Sequence, residues 1–521
     1  MPSLEFENRL NGKCEVIMKT ISNRNSTALQ ARTGSYRNTA GQTRERNRRK
    51  LMRTILYLAF FVLVLGGSGA TAGQKQGGVE GTWYGALSLP DSAKLKMAVE
   101  FEKGEGQTIK ATIISLDQGA MGIAADEVKI QGNRIRLTIE EDGVVIEGTF
   151  DKTSSTISAH WKQGPVNFPL QLKRVESIPG FKRPQTPKRP FPYIEEEVTF
   201  TNKAAAVKLA GTLTLPPSKG PHPAAILLQG SGPHGRDEMI FYHRPFLILA
   251  DYLTRNGIAV LRYDKRGTNH STGDYGKATI HDFASDASAA VEYLKTRREI
   301  DSSRIGLIGH SEGGTVAQIV AEEASDVAFI VSISGPGVSG CDNIILQDLA
   351  SAKTQGATDE ELELIRQVVE QYYRVPLAEK NNDVARKKMQ KIYDDMTDEQ
   401  RHAYRYLKDG WTNQIDNCLS PGCRSAHEFD PRPILMEVKC PVLAINGALD
   451  IQVPPKENLA GIEGALKAGG NADFTVKELP GLNHLLQTAD TGAFAEYTKI
   501  EETIAAVALE TIGNWIKEHV Q

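Results

Sequence analysis

The chain runs in two hydrophobic rhythms, and the change between them falls near residue 193. Before it, short runs alternate apolar and polar positions at 94–101, 109–114, 134–139, 144–150 and 166–172. Turn formers such as Gly132-Asn133 and Asp142-Gly143 separate them. Period-two alternation in runs this short predicts half-buried strands, and several in succession predict a small antiparallel barrel or sandwich over 79–175. Trp83 and Trp161 read as rings that plug its core; a ligand-binding barrel is the sharper alternative. Residues 176–192 then hold five prolines (Pro179, Pro184, Pro187, Pro190 and Pro192), which predicts an extended, semi-rigid linker.

Beyond 193 a hairpin is predicted at 195–201 and 207–215, and the apolar runs then become continuous, at 224–228, 258–262, 305–308 and 329–333. Strands buried on both faces read this way. Helical stretches near 241–255, 281–298 and 313–324 lie between them, so the fold class is α/β: a mostly parallel sheet with helices on both faces. Residues 338–436 interrupt the alternation with helical sequence, amphipathic over 358–373 and 382–396, and Asp359, Glu360 and Glu361 suit a first helical turn. Strand patterns resume at 441–445 and 474–479, and a last helix is predicted near 498–518. The segment 193–521 is thus one α/β unit whose insertion 338–436 reads as a cap over a site.

Chemistry concentrates where that sheet's strands end. Gly309-His310-Ser311-Glu312-Gly313 sits between a strand and a helix-compatible run, which is G-x-S-x-G in the context it needs. The turn is too sharp for bulky neighbours, and it lifts the Ser311 hydroxyl above the sheet. A serine needs a positioned imidazole to take its proton, and the imidazole needs a carboxylate to fix its tautomer. Asp450 closes the loop after the strand 441–445, and His484 the loop after 474–479. Both fall at carboxyl ends of strands, where sites in open α/β sheets collect. Of the other histidines, His519 lies in the last helix, His402 and His427 in the insertion, and His310 inside the elbow, where it shapes the turn. Two backbone N–H groups should face the developing oxyanion: that of Glu312, and one from the loop Gln229-Gly230-Ser231-Gly232-Pro233-His234-Gly235. Ser231 is the expected donor there, with Gly232 the next choice. The charges of 263–267 read as a structural ion-pair network near the site. No metal-ligand spacing appears, and this chemistry calls for no metal or organic cofactor.

Composition adds three points. A length of 521 residues calls for two or three domains. The net charge of −3 hides an asymmetry: residues 1–53 hold 12 of the 61 Lys and Arg but 4 of the 64 Asp and Glu. The remainder is mildly acidic, which argues against nucleic acid as a partner. Within the basic start, the apolar run 55–65 leads to Ala70-Thr71-Ala72, so 52–72 reads as a signal peptide and 1–51 as a basic, disordered leader, with Met52 as the expected initiator. A periplasmic or secreted protein follows, with no stable membrane span in its mature form; the alternative is an uncleaved anchor. Cys418 and Cys423, in a turn-like segment, either bridge in an oxidising compartment or remain thiols.

From about 193 to 518 the chain resembles the α/β-hydrolase superfamily, specifically bacterial carboxylesterases related to the dienelactone hydrolase and serine aminopeptidase branches. The resemblance rests on Gln229 to Pro233, Leu261 to Gly267, Gly309 to Gly314, Asp450 with Gln452 to Pro455, and Asn483-His484. It implies an N-terminal β domain and a serine esterase acting on small-molecule esters through an acyl-enzyme. Two departures bear on substrate rather than on the triad: Ala448 stands where Glu is frequent, and Asn269-His270 stand where Gly and a basic residue are usual. Two other readings stay open. The triad also suits a peptidase acting on small peptides, with acids such as Glu360, Glu361 and Glu363 holding the charged terminus. A cell-envelope binding protein with an inert hydrolase half is the third.

Overall fold

The computed structural model describes residues 78–520, apart from 90–93, 104–107, 119–121, 141–142, 325 and 408–410. The expected leader 1–51, the signal peptide 52–72 and Cys14 lie outside the described residues.

Among the described residues, nine N-terminal strands form one antiparallel sheet: β1 (Gly81–Ser88), β2 (Lys94–Lys103), β3 (Ile109–Ser115), β4 (Gly122–Ala124), β5 (Glu127–Gln131), β6 (Arg134–Ile139), β7 (Val144–Asp151), β8 (Thr156–Gln163) and β9 (Val166–Val175). Alternation sets its faces. In β6, Ile135, Leu137 and Ile139 point inward while Arg134 and Arg136 stay exposed. The chain bends at Ala125-Asp126: β4 pairs with β3, and β5 pairs with β6. Ala125 N–H donates to Ala111 O (2.8 Å) and Asp126 N–H to Thr138 O (2.8 Å). One bent segment thus touches both ends of the sheet, which curls as a barrel does instead of splitting into a sandwich. Trp83 is fully buried, donates Nε1–H to Val79 O (2.7 Å) and meets Phe150 edge-on at 5.9 Å. Trp161 differs from the sequence expectation: it is only half-buried, paired across strands with Phe168 at the margin of the core. Val99, Phe101, Leu137, Ile146 and Leu172 fill the interior, which argues against a ligand-binding barrel.

The segment after β9 carries no long strand, but it is pinned. Arg183 donates to Phe241 O (2.7 Å) and Ile500 O (3.0 Å), and Gln185 Nε2 to Ile504 O (2.7 Å).

The second sheet has eight strands: β10 (Ile194–Asn202), β11 (Val207–Leu215), β12 (His222–Leu228), β13 (Ala259–Tyr263), β14 (Ile300–His310), β15 (Ile330–Ile333), β16 (Val442–Gly447) and β17 (Phe474–Leu479). Their order is β10-β11-β13-β12-β14-β15-β16-β17, with an antiparallel start and parallel pairing from β13 to β17. β12 has β13 on one side and β14 on the other, so the winding reverses there and opens a crevice at the strands' carboxyl ends. Helices Ile280–Lys295 and Glu312–Glu323 cover one face, and Pro245–Arg255 with Ala506–Val520 the other. Residues such as Ile226 and Leu307 pack to the first side, and Leu227 and Ile308 to the second.

Between β15 and β16 lie, among the described residues, seven helices, from Gly340–Thr354 to Pro431–Glu437. Helix Asp359–Ala378 begins as its sequence predicts, with Thr358 and Glu361 forming a reciprocal capping box. The insertion has its own core around Ile365, Val369, Tyr372 and Met389. Asp348 is buried within it and accepts the Tyr373 hydroxyl (2.8 Å). Burial pushes its carboxyl up to about 7, against the opposing pull of Tyr373 and His427. Folding therefore keeps a proton that the unfolded chain releases near the ordinary carboxylate value. Stability from this group is present at low pH and is lost as pH rises through about 7. The urea midpoint is expected to be higher at pH 5 than at pH 8, and Asp348→Asn to narrow that difference. An unchanged difference in the variant would remove Asp348 as its source.

Candidate active site

β14 ends at His310, and helix Glu312–Glu323 begins directly after Ser311. Ser311 joins them with φ 53° and ψ −121°, a left-handed turn that an L-residue adopts only under constraint. The constraint is packing. A Cβ at Gly309 would lie 2.0 Å from Gly313 O, and one at Gly313 would lie 2.0 Å from Leu228 O. Ser311 N–H donates to Ile333 O (2.9 Å), which ties the turn to β15. Its side chain is half-buried at the helix N-terminus, where the backbone dipole favours negative charge.

His484 and Asp450 meet across the loops that follow β17 and β16. His484 Nδ1 lies 2.7 Å from Asp450 Oδ2, and both side chains are buried. Asp450 Oδ1 accepts the N–H groups of Gln452 (2.8 Å) and Val453 (2.9 Å), which fixes the carboxylate and leaves Oδ2 for the ring. A carboxylate accepts only, so Nδ1 carries the hydrogen and Nε2 is left as the basic nitrogen. The His484 loop is locked by Asn483, whose Oδ1 accepts from Leu485 N–H (3.0 Å) and Gln487 N–H (3.0 Å). The His484 carbonyl accepts from Ser334 Oγ (3.2 Å) and His310 Nε2 (3.1 Å).

The glycine loop after β12 is held from three sides. Gly230 N–H donates to Glu238 Oε1 (2.5 Å), Lys265 Nζ donates to Gly230 O (2.6 Å), and Gly232 N–H donates to Tyr275 Oη (3.0 Å). Gly232 is therefore not the second oxyanion donor: its N–H is already engaged by a residue 43 positions away. The N–H groups of Ser231 and Glu312 donate to no described residue. Gly230 lies against the nucleophile, since a Cβ there would come within 3.1 Å of Ser311 Cβ.

Several residues at this site escape sequence reasoning. His310 does shape the elbow, but through a buried partner, Glu238, whose Oε1 lies 3.0 Å from His310 Nδ1. The other partner of His310 is a carbonyl, so both ring nitrogens face acceptors and the pair is an imidazolium with a carboxylate. Burial works against charge on both, but each holds the other: the Glu238 carboxyl lies below its usual range and His310 above its own. Glu238 thereby joins the glycine loop, the elbow and, through His310, the His484 loop. The 263–267 charges pair as the sequence suggests. Asp264 pairs with Arg236 (2.8 Å), Arg266 with Asp286 (2.6 Å), and Lys265 with Glu312 (2.8 Å), its ammonium 4.5 Å from the Phe283 ring.

The barrel bears on this region. Glu100 of β2 accepts from Tyr242 Oη and Arg244, on the segment that carries Glu238. Asn269, one of the two departures noted above, adopts φ 47° and accepts Ala124 N–H (3.0 Å) from β4. The side-chain amide thus serves as a docking point for the barrel.

Residues 234–490 match the family described as serine aminopeptidase, S33. Over 195 residues the chain is 29% identical to Esterase EstD of Thermotoga maritima, a match that covers 37% of this chain and 46% of that protein. It thus spans less than half of that relative's length. Among solved structures, the chain is similar to the Pyrococcus furiosus esterase Pf2001 (18% identity, 66% of this chain and 98% of that chain, TM-score 0.39). It is also similar to Est1E of Butyrivibrio proteoclasticus with ferulic acid bound (15% identity, 62% and 99%, TM-score 0.37).

Proposed function

We propose that this chain is an α/β-hydrolase, a reading the match of residues 234–490 supports, and a serine hydrolase that cleaves carboxylic esters of small substrates. The observation that carries the reading is the His484–Asp450 pair at 2.7 Å, set in the loops beside the Ser311 elbow. In the first half-reaction Ser311 Oγ attacks the ester carbonyl, and His484 Nε2 takes its proton and returns it to the departing alcohol. Asp450 holds the ring's tautomer and stabilises the imidazolium that forms. The Ser231 and Glu312 N–H groups, with the helix N-terminus behind Glu312, hold the tetrahedral oxyanion. Water then attacks the acyl-enzyme by the same route. The esterase relative supports esters as the substrate class. Export to the periplasm or beyond is part of the proposal and rests on the basic, apolar and Ala-Thr-Ala succession ending at Ala72.

The family description favours a second reading, a peptidase on small peptides. The acids nominated for a peptide terminus speak against it. Glu361 serves as a helix cap and pairs with Arg405 (2.7 Å), and Glu360 and Glu363 are exposed. Hydrolysis of a panel of p-nitrophenyl acyl esters and aminoacyl p-nitroanilides by the purified protein separates the two. Ester turnover with little anilide turnover is expected, whereas anilide turnover of comparable efficiency would make it a peptidase. Folded protein that turns over neither would return the binding-protein reading.

A further inference from the structure

The cap contains a second cluster of reactive groups that ester cleavage does not use. Cys418 ends helix Trp411–Cys418, and Cys423 stands in the first turn of the next helix, Pro421–Glu428. Ser420 caps that helix by accepting Cys423 N–H (3.3 Å), so the Cys423 sulfur lies at the positive end of its dipole. One turn on, His427 Nε2 lies 3.6 Å from Cys423 Sγ. The other ring nitrogen, Nδ1, is buried without a hydrogen-bond partner. The Cys418 thiol also hydrogen-bonds to Cys423. Both cysteines are free; Cys418 is buried and Cys423 half-buried.

From these contacts we infer that Cys423 is a nucleophilic thiolate and a modification site for peroxides and small disulfides, with Cys418 as its resolving thiol. The groups facing the pair from neighbouring elements are Asp348 of helix Gly340–Thr354, Tyr372 and Tyr373 of helix Asp359–Ala378, Tyr404 of helix Asp398–Tyr404, and Glu312 beside the nucleophile. Burial opposes a thiolate at Cys423, and Glu312 opposes it too, while Asp348 acts on Cys418. The Cys418 hydrogen bond and the His427 charge outweigh them and hold the Cys423 thiol well below its usual range. Against burial, the Cys423 sulfur in turn raises His427 above its own usual range. Cys341 and Cys440 lack such partners, and burial pushes each up to about 11.

Hydrogen peroxide is the oxidant. The Cys423 thiolate attacks one peroxide oxygen, the O–O bond breaks, and hydroxide leaves with the proton of His427 as water. Cys423 is then a sulfenic acid. The Cys418 sulfur attacks it, the S–O bond breaks, and a second water leaves as the S–S bond forms. Two thiols are oxidised and one peroxide is reduced. The bridge would close beside the ester site. Helix Pro421–Glu428 packs on Ala278 and caps Ile280 through Ser425 (3.0 Å), directly after Tyr275, which holds the glycine loop.

The test is limited alkylation of the full chain with iodoacetamide at pH 7 after reduction, with peptide mapping. Cys423 is expected to react about tenfold or more faster than Cys341 and Cys440, as its larger thiolate fraction requires. His427→Gln should slow it towards them. Peroxide should remove two thiols and two hydrogens from the Cys418–Cys423 pair, and Cys418→Ser should stop at a sulfenic acid that dimedone traps on Cys423. Alkylation of Cys423 in the native protein no faster than that of Cys440, or both thiols surviving peroxide, would overturn the inference; neither measurement needs a variant to fold.

Discussion

Ester turnover is expected to fall by about 10⁴- to 10⁶-fold on Ser311→Ala, with the thermal midpoint little changed. The side-chain oxygen is what the reaction uses, whereas the turn is fixed by backbone contacts that alanine preserves: Ser311 N–H to Ile333 O (2.9 Å) and Gly314 N–H to Ser311 O (2.9 Å). Activity left in the variant should match what the oxyanion donors supply alone. Asp450→Asn is expected to cost about 10⁴-fold, because an amide that donates to Nδ1 turns the ring to the wrong tautomer. Steady-state rates on one p-nitrophenyl ester, with melting curves beside them, check both. Retained turnover in Ser311→Ala would place the nucleophile elsewhere.

The second large effect is on stability. Glu238→Ala should cost about 3–5 kcal/mol, because it strands the His310 imidazolium in a buried site and removes the acceptor of Gly230 N–H. Glu238→Gln keeps an oxygen for Gly230 but not the charge, so its cost should be smaller. Turnover should fall in both variants, because Glu238 sets the loop that bears Ser231. Denaturant midpoints and kcat on the same preparations measure the two effects together. A Glu238→Ala protein as stable and as active as the parent would show that the buried pair holds nothing in place.

What could be read from the sequence, and what could not, divides by the range of the interaction. The elbow was legible because Gly309 is demanded by a contact four residues on, at Gly313 O, although Gly313 itself answers to distant Leu228 O. Asp450 and His484 stood out because each ends a loop after a strand run, buried throughout in β16 and alternating in most of β17. The hydrogen bond between them is a fact of the structure that their spacing alone does not contain. Gly232 was misjudged because its N–H is taken by Tyr275, and nothing near the glycine loop announces that. Glu238 carries no signal at all: its partner is 72 positions away, and it follows two other charged residues, Arg236 and Asp237, from which nothing sets it apart.

The barrel shows the same division. Strands with strong alternation, such as β6 and β7, stand out, while β1 and β8 do not. In β1, Gly85 breaks the pattern because a Cβ there would lie 1.8 Å from Gln171 O. In β8 the inward residues include small Ala159, packed against Gly148. β4, the first half of the bent segment, is three residues long and too brief to show a period, whereas β5 alternates over only five residues.

The most direct test of the account is to label the folded protein with a fluorophosphonate and map the adduct while ester turnover is followed. A single covalent adduct on Ser311 is expected, with activity falling in proportion to labelling. Full labelling at another residue, or turnover that survives a fully modified Ser311, would contradict it.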